Sequence, residues 1–219
     1  MLSAAVLLDF DGVIIESRRA ITGCLNQALR DNGYAIRPQA DLVPLIGPPI
    51  AAAFAELTSQ DRKSDSVASL VASYRHHYAT ASLRDTDLIP GIDDVIRALA
   101  SRWTVALATS KSAAFVRPLL AHFGIEDQFA VVCAPAMSTV HETKGQTIAK
   151  ALAELGYPDR AVMVGDRSHD VIGARENKVA TIGVTWGIGD LDELRAAGAE
   201  ATIDDPADLP AAVEAFLTR

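Results

Sequence analysis

The chain has 219 residues, 49% of them hydrophobic, with 28 acidic against 20 basic side chains and a net charge of −8. This is enough apolar material for a real core with room for a modest insertion. Lys and Arg are scattered without a basic stripe, which argues against a nucleic-acid partner and favours a small-molecule substrate.

The two cysteines, Cys24 and Cys133, each lie in an apolar stretch. Neither a disulfide framework nor a zinc-ligand spacing follows from them, and a reducing cytoplasm fits. No apolar run approaches the roughly 20 residues of a membrane helix, and the N-terminal run breaks at Asp9 before signal-peptide length. A soluble, cytoplasmic chain is therefore expected.

The first predicted element is the strand in VLLDFDGVI, residues 6–14. An extended segment alternates its faces, so Asp9 and Asp11, two apart, point the same way. Two like charges held together are unfavourable unless a cation or a reaction uses them.

Residues 17–82 read as consecutive helices. Ser17 is placed to cap RRAITGCLNQALRDNG and Gly33 to stop it. PPIAAAFAEL starts with prolines tolerated in a first turn, and SDSVASLVASYRHHYA follows. From Pro90 the texture changes to short apolar runs alternating with amphipathic stretches: TVALATS and SAAFVRPLLAHFG; AVVCA and GQTIAKALAELG; AVMVGD and SHDVIGARENK; ATIGVTW and LDELRAAG. The tail ATIDDPADLPAAVEAFL adds a last short strand and helix. Such alternation predicts an α/β fold, a parallel sheet covered by helices on both faces, with the helical block inserted between the first and second strands. The expected division is a core of residues 1–16 and 83–219 and a helical domain of residues 17–82.

Open parallel sheets bind ligands at the carboxyl ends of their strands, near the point where strand order reverses. Asp9 and Asp11 lie at such an end, as do Thr109 and Ser110 after TVALA and Asp166 after AVMVG. Each has a plainer reading by itself. DFDG can be an Asp-Gly turn, Thr109 or Ser168 a helix cap, Asp166 a loop acid, and Lys144 a solvated lysine. Together they are harder to dismiss. Asp-x-Asp, then Ser or Thr at a strand end, then Lys at a helix start, then Gly-Asp-x-x-x-Asp is the set a phosphoryl-transfer site requires.

With the motifs DFDGVI, ATSK, TKGQT and GDRSHD, the chain resembles the haloacid dehalogenase superfamily from its first strand to near its C-terminus. LIGPPIAAAF, YRHHY and MVGDRSHDVIGA are similar to the phosphoglycolate-phosphatase group and its 5′-nucleotidase-like relatives. Val13 stands where many relatives carry Thr, and His141 where the nucleotidase-like group is expected to carry Arg. The resemblance implies a Rossmann-like three-layer core whose helical insertion is a mobile cap that reads the leaving group.

Phosphate monoesters are anions, so an attacking carboxylate needs positive charge at the phosphoryl group. Mg²⁺ can supply it, with Asp9 and Asp166 as carboxylate ligands and, by resemblance, the backbone carbonyl of Asp11. Asp9 then attacks phosphorus to give an aspartyl-phosphate, and Asp11 protonates the leaving oxygen and later deprotonates water. Lys144 and the Thr109 hydroxyl hold phosphoryl oxygens, with Ser110 beside them. Asp170, four residues after Asp166, orients Lys144 or a metal-bound water.

In the helical block, Gly47, Pro48 and Pro49 form a stiff loop that is a candidate substrate contact, although a simple helix start explains it equally. Arg75 is a candidate cation there, against a solvated helix face. His76, His77, His122, His141 and His169 share no metal-ligand spacing and read as structural or exposed. Trp186 and the glycines of WGIGD read as shaping a loop.

The expected activity is therefore Mg²⁺-dependent hydrolysis of a small phosphorylated metabolite, phosphoglycolate phosphatase-like or 5′-nucleotidase-like, by a monomer or homodimer touching neither nucleic acid nor membrane. A phosphomutase would bring more basic and polar groups in its cap. A dehalogenase needs neither magnesium nor an acid at position 11, and a non-catalytic binding protein has no use for intact motifs.

Overall fold

The computed structural model describes residues 3–137 and 142–218. The chain divides into two compact units, Met1–Glu16 with Leu88–Arg219, and Ser17–Asp87.

The first unit is built on six parallel strands: β1 (Ala4–Leu8), β2 (Thr104–Ala108), β3 (Val131–Cys133), β4 (Arg160–Gly165), β5 (Ala180–Val184) and β6 (Ala201–Ile203). Their spatial order is β3-β2-β1-β4-β5-β6. The strands are near-continuous apolar runs because both sheet faces are covered. Val6, Leu8, Val105, Leu107, Val162, Val164, Ile182 and Val184 fill one face. The intervening Leu7, Ala106, Ala108, Met163 and Cys133 fill the other.

Strand order reverses at β1, whose neighbours are reached in opposite directions, so the gap beside β1 and β4 is the switch point of the sheet. Register brings the strand ends level. Leu8 pairs with Leu107 on one side and with Val164 on the other. The Asp9 N–H still donates to the Val164 carbonyl at 3.0 Å, and the Thr109 N–H to the Cys133 carbonyl at 3.1 Å. The residues that follow each strand therefore leave the sheet at one height.

Among the described residues, six α-helices belong to this unit: Ile92–Ala100, Ala113–Phe123, Lys144–Glu154, Ser168–Glu176, Leu191–Ala197 and Leu209–Leu217. The helix that starts at Lys144 has a capping box, in which Thr143 Oγ1 accepts from the Gln146 N–H and Gln146 Oε1 accepts from the Thr143 N–H. Both donors would otherwise be orphaned at the helix start.

The second unit is helical throughout its longer elements: Arg18–Asp31, Gln39–Leu42, Ile50–Thr58 and Asp65–Arg84. Leu25, Leu29, Phe54, Leu70 and Tyr78 are fully buried in it, and Tyr74 stacks on Tyr78 with centroids 5.2 Å apart. Asp31 Oδ2 accepts from Ser73 Oγ at 2.7 Å and pairs with His77 Nε2 at 2.6 Å, tying the first helix to the last.

Several local expectations change. Ser17 stands at the N-cap position but makes no side-chain capping bond. Gly33, with φ of 77°, does stop the helix, its N–H donating to the Arg30 carbonyl. The prolines precede the third helix rather than occupying its first turn, Pro49 standing at its N-cap with φ −55° and ψ 134°. The helical unit also runs beyond residue 82 to Asp87, because the Ala- and Leu-containing segment ATASLR carries its last helix on to Arg84. Among the described residues, no helix is long and apolar enough to cross a membrane.

Candidate active site

Asp9 and Asp11 follow β1, Thr109 follows β2, and Asp166 follows β4, so the level strand ends gather them at the switch point. Lys144 and Asp170 arrive from the starts of two helices. Those helices touch at Gly145 and Gly173, where a side chain on Gly173 would sit 2.7 Å from the Gly145 nitrogen. The close approach lets Lys144 Nζ reach Asp9 Oδ1 at 2.6 Å and Asp170 Oδ1 at 2.7 Å. Asp170 is held in turn, its Oδ2 accepting from the Arg167 N–H at 3.0 Å. Asp170 Oδ1 thus contacts Lys144 Nζ.

Lys144, Asp166 and Asp170 are buried and Asp9 largely so, and for Asp9 burial is the leading influence. It pushes the Asp9 carboxyl up to about 6, with Asp170 and Asp11 adding repulsion against the opposing pull of Lys144. Asp166 is raised well above the ordinary carboxylate range, again by burial first and then by Asp170 and Asp9. Burial alone would pull the Lys144 ammonium down, but Asp170 and Asp9 outweigh it and raise it.

Three carboxylates around one ammonium leave an excess of negative charge, and the geometry fits a cation to it. Oxygens of Asp9, Asp166 and Asp170 lie within 4.8 Å of one another. Asp166 Oδ1 is buried without a hydrogen-bond partner. Asp9 Oδ1 has the Lys144 ammonium at 2.6 Å as its partner. Orphaned buried carboxylate oxygens are costly. Hard oxygen donors of this kind suit a divalent ion such as Mg²⁺.

Thr109 is buried, and its Oγ1 accepts from the Lys111 N–H at 3.1 Å. It is not the helix cap that the sequence allowed, since the next helix starts at Ala113 with Ser112 before it. Ser168 is likewise the first residue of its helix, and Arg167 stands at the N-cap. Ser110 is exposed.

Gly47, with φ of 116°, and exposed Pro48 precede the third helix of the helical unit, while half-buried Arg75 lies on its fourth. They belong to the other unit. Asp9, Asp166 and Asp170 form the metal-capable cluster among the described residues, and no histidine joins it. His141 lies outside the described residues.

Two features escaped the sequence. Lys111 Nζ lies 2.9 and 3.2 Å from the two oxygens of Asp11. The Lys of ATSK was the available signal. The other is the WGIGD loop, which does more than shape itself. The Ile188 N–H donates to Asp166 Oδ2 at 2.6 Å, and Trp186 Nε1 donates to the Val13 carbonyl at 3.2 Å. A methyl on Gly187 would overlap the Asp166 carboxylate, as would one on Gly12, whose φ of 81° places the turn after Asp11 in the left-handed region. Two loops thereby clasp Asp166 at Oδ2, while its buried Oδ1 has no hydrogen-bond partner. Gly187→Ala is expected to displace Asp166 and weaken Mg²⁺ binding at least tenfold, read by calorimetric titration. Unchanged affinity would show that the clasp does not orient Asp166.

The doubly wound sheet thus collects an Asp-x-Asp pair, a Thr, a Lys and two further acids at its switch point. Residues 6–184 match the family of haloacid dehalogenase-like hydrolases, and the chain belongs to that family.

It is 33% identical over 193 residues to a 5′-nucleotidase of Pseudomonas aeruginosa, a match covering 87% of this chain and 86% of the relative. It is 34% identical over 190 residues to the tyrosine-protein kinase PtkA of Mycobacterium tuberculosis, covering 85% of this chain but only 64% of that relative's length. A solved structure from Clostridium acetobutylicum, described as a predicted phosphatase, superposes with a TM-score of 0.90 at 27% identity, covering 97% of this chain and 99% of the other.

Proposed function

We propose that the protein is a Mg²⁺-dependent phosphatase of small phosphate monoesters, phosphoglycolate phosphatase-like, acting through an aspartyl-phosphate on Asp9. The observation that carries this reading is the contact of Lys144 with both Asp9 and Asp170 beside the orphaned Asp166 oxygen. A nucleophilic carboxylate, a cation for the phosphoryl group and an opening for a metal are then in one place.

Asp9, Asp166 and the Asp11 carbonyl would hold Mg²⁺, which would supply positive charge against the phosphoryl group. Asp9 contributes the electron pair that forms the new O–P bond as the ester O–P bond breaks. The departing oxygen keeps that bond's electrons and takes a proton from Asp11. Water then attacks phosphorus, Asp11 takes its proton, and the Asp9–phosphorus bond opens to return the carboxylate. Lys144 and the Thr109 hydroxyl hold phosphoryl oxygens through both steps. By family resemblance, Gly47, Pro48 and Arg75 of the helical unit are the candidate residues for selecting the ester.

A 5′-nucleotide is the second reading, favoured by the Pseudomonas relative and its coverage on both sides. The test is phosphate release from phosphoglycolate, nucleoside monophosphates, sugar phosphates, phosphotyrosine and p-nitrophenyl phosphate, with Mg²⁺ and after chelation. Hydrolysis of an alkyl phosphate that vanishes on chelation and returns with Mg²⁺ is expected. Full activity in chelator would remove the metal from the reading, and inactivity on every ester would remove the phosphatase.

A further inference from the structure

We propose that Lys111 is a positioning residue that holds Asp11 in place for its proton transfers, an inference that rests on the acid–base role of Asp11 given above. Lys111 sits in a tight turn after β2, where its own N–H bonds Thr109 Oγ1 at 3.1 Å. Its ammonium grips Asp11 by both oxygens, at 2.9 and 3.2 Å. The two side chains are only 6% and 17% exposed. A surface ion pair fixes little, because solvent competes for both partners. Here solvent is largely excluded, and a contact with both oxygens draws the open edge of the carboxylate toward one fixed point.

The arrangement repeats that of Lys144. Each reacting carboxylate has its own ammonium, Lys144 on Asp9 from a helix start and Lys111 on Asp11 from a turn. The turn also presents Thr109, so the hydroxyl proposed to hold a phosphoryl oxygen and the cation that holds the acid–base group share one hydrogen bond. A shift of Asp11 relative to the phosphoryl seat is thereby resisted.

Misplacing a proton-transfer group by a fraction of its hydrogen-bond length costs rate according to how much the leaving group needs the proton. Lys111→Met keeps the stem and removes the cation. It is expected to lower kcat for an alkyl phosphate by roughly 10²-fold and for p-nitrophenyl phosphate by less than about tenfold, with KM nearly unchanged. Lys111→Arg keeps a cation and is expected to recover at least tenfold of the alkyl rate over Lys111→Met.

Asp11→Asn, measured beside them, is expected to show the same alkyl-over-aryl selectivity in larger form. In that background Lys111→Met should cost nothing further, because there is no carboxylate left to position. Equal losses on both esters from Lys111→Met, while Asp11→Asn discriminates between them, would overturn the role of Lys111 and leave that of Asp11 standing. No discrimination by Asp11→Asn would overturn the acid–base reading itself. The double variant decides on Lys111 in either case, since losses that multiply would show that it acts independently of Asp11. Should Lys111→Met fail to fold by circular dichroism, Lys111→Arg and its double variant with Asp11→Asn carry the same comparison.

Discussion

Asp9→Asn is expected to abolish turnover while the fold and the binding of phosphate esters persist. The amide has the shape of the carboxylate and can still offer one oxygen to a metal, but it lacks the electron pair of an anion for attack on phosphorus. Lys144 keeps Asp170 as a partner at 2.7 Å, so its charge is not stranded when Asp9 becomes neutral. The loss in kcat should be roughly four orders of magnitude or more, the range seen when a nucleophile is removed and only binding and electrostatics remain. Asp9 is raised to about 6 by burial, so the substitution also relieves some desolvation, and an unchanged or higher melting temperature is expected. Mass spectrometry of acid-quenched protein should find a phosphoryl group on Asp9 in the parent and none in the variant. A variant that keeps more than about a hundredth of the parent rate would show that another group attacks.

The sheet was legible in the sequence for a simple reason. Strands buried on both faces are short apolar runs, and TVALA, AVMVG and ATIGV carry little else, so their ends and the polar residues after them could be placed. Parallel order puts Asp9, Thr109 and Asp166 at the same edge of the sheet, and the register then brings them level. The helical unit gave up its helices but not their edges: Ser17 occupies its position without the expected bond, and ATASLR continues where a stop was assumed.

What stayed hidden depends on contacts between distant loops. Ile188 meets Asp166 because β4 and β5 pair in register, Gly165 beside Gly183, and nothing local in WGIGD announces it. Lys111 closes the ATSK motif, and nothing local in that motif announces an acid partner. Its side chain instead turns inward to Asp11, and only the three-dimensional approach of two loops could show that.

Lys144→Met is expected to be the most destabilising single change at this site, and its cost should grow with pH. The side chain is 5% exposed and lies between Asp9 and Asp170. Removing one partner of a buried ion cluster typically costs about 3–5 kcal/mol, because the remaining charges lose their compensation and water does not replace it. The carboxylates decide the pH dependence. Asp9, with an ordinary value of 3.8, rises to about 6 in the folded protein, and Asp166 is raised well above its ordinary value too. A carboxyl raised on folding favours the folded state fully below its unfolded value and loses that contribution as pH climbs through the folded one. Lys144 acts the other way across this window. Its own value is raised on folding, so it stays charged and stabilising through neutral pH, offsetting what the carboxylates lose. Without it their folded values climb further. The deficit of the variant against the parent, both free of metal, should therefore be small near pH 4.5 and approach its full size by pH 8, as read from urea unfolding midpoints. Millimolar Mg²⁺ should return part of it at pH 8 by placing a cation among Asp9, Asp166 and the freed Asp170, without returning activity. A deficit constant from pH 4.5 to 8 would mean that Lys144 contributes by packing alone, and the charge balance assigned to this site would not hold.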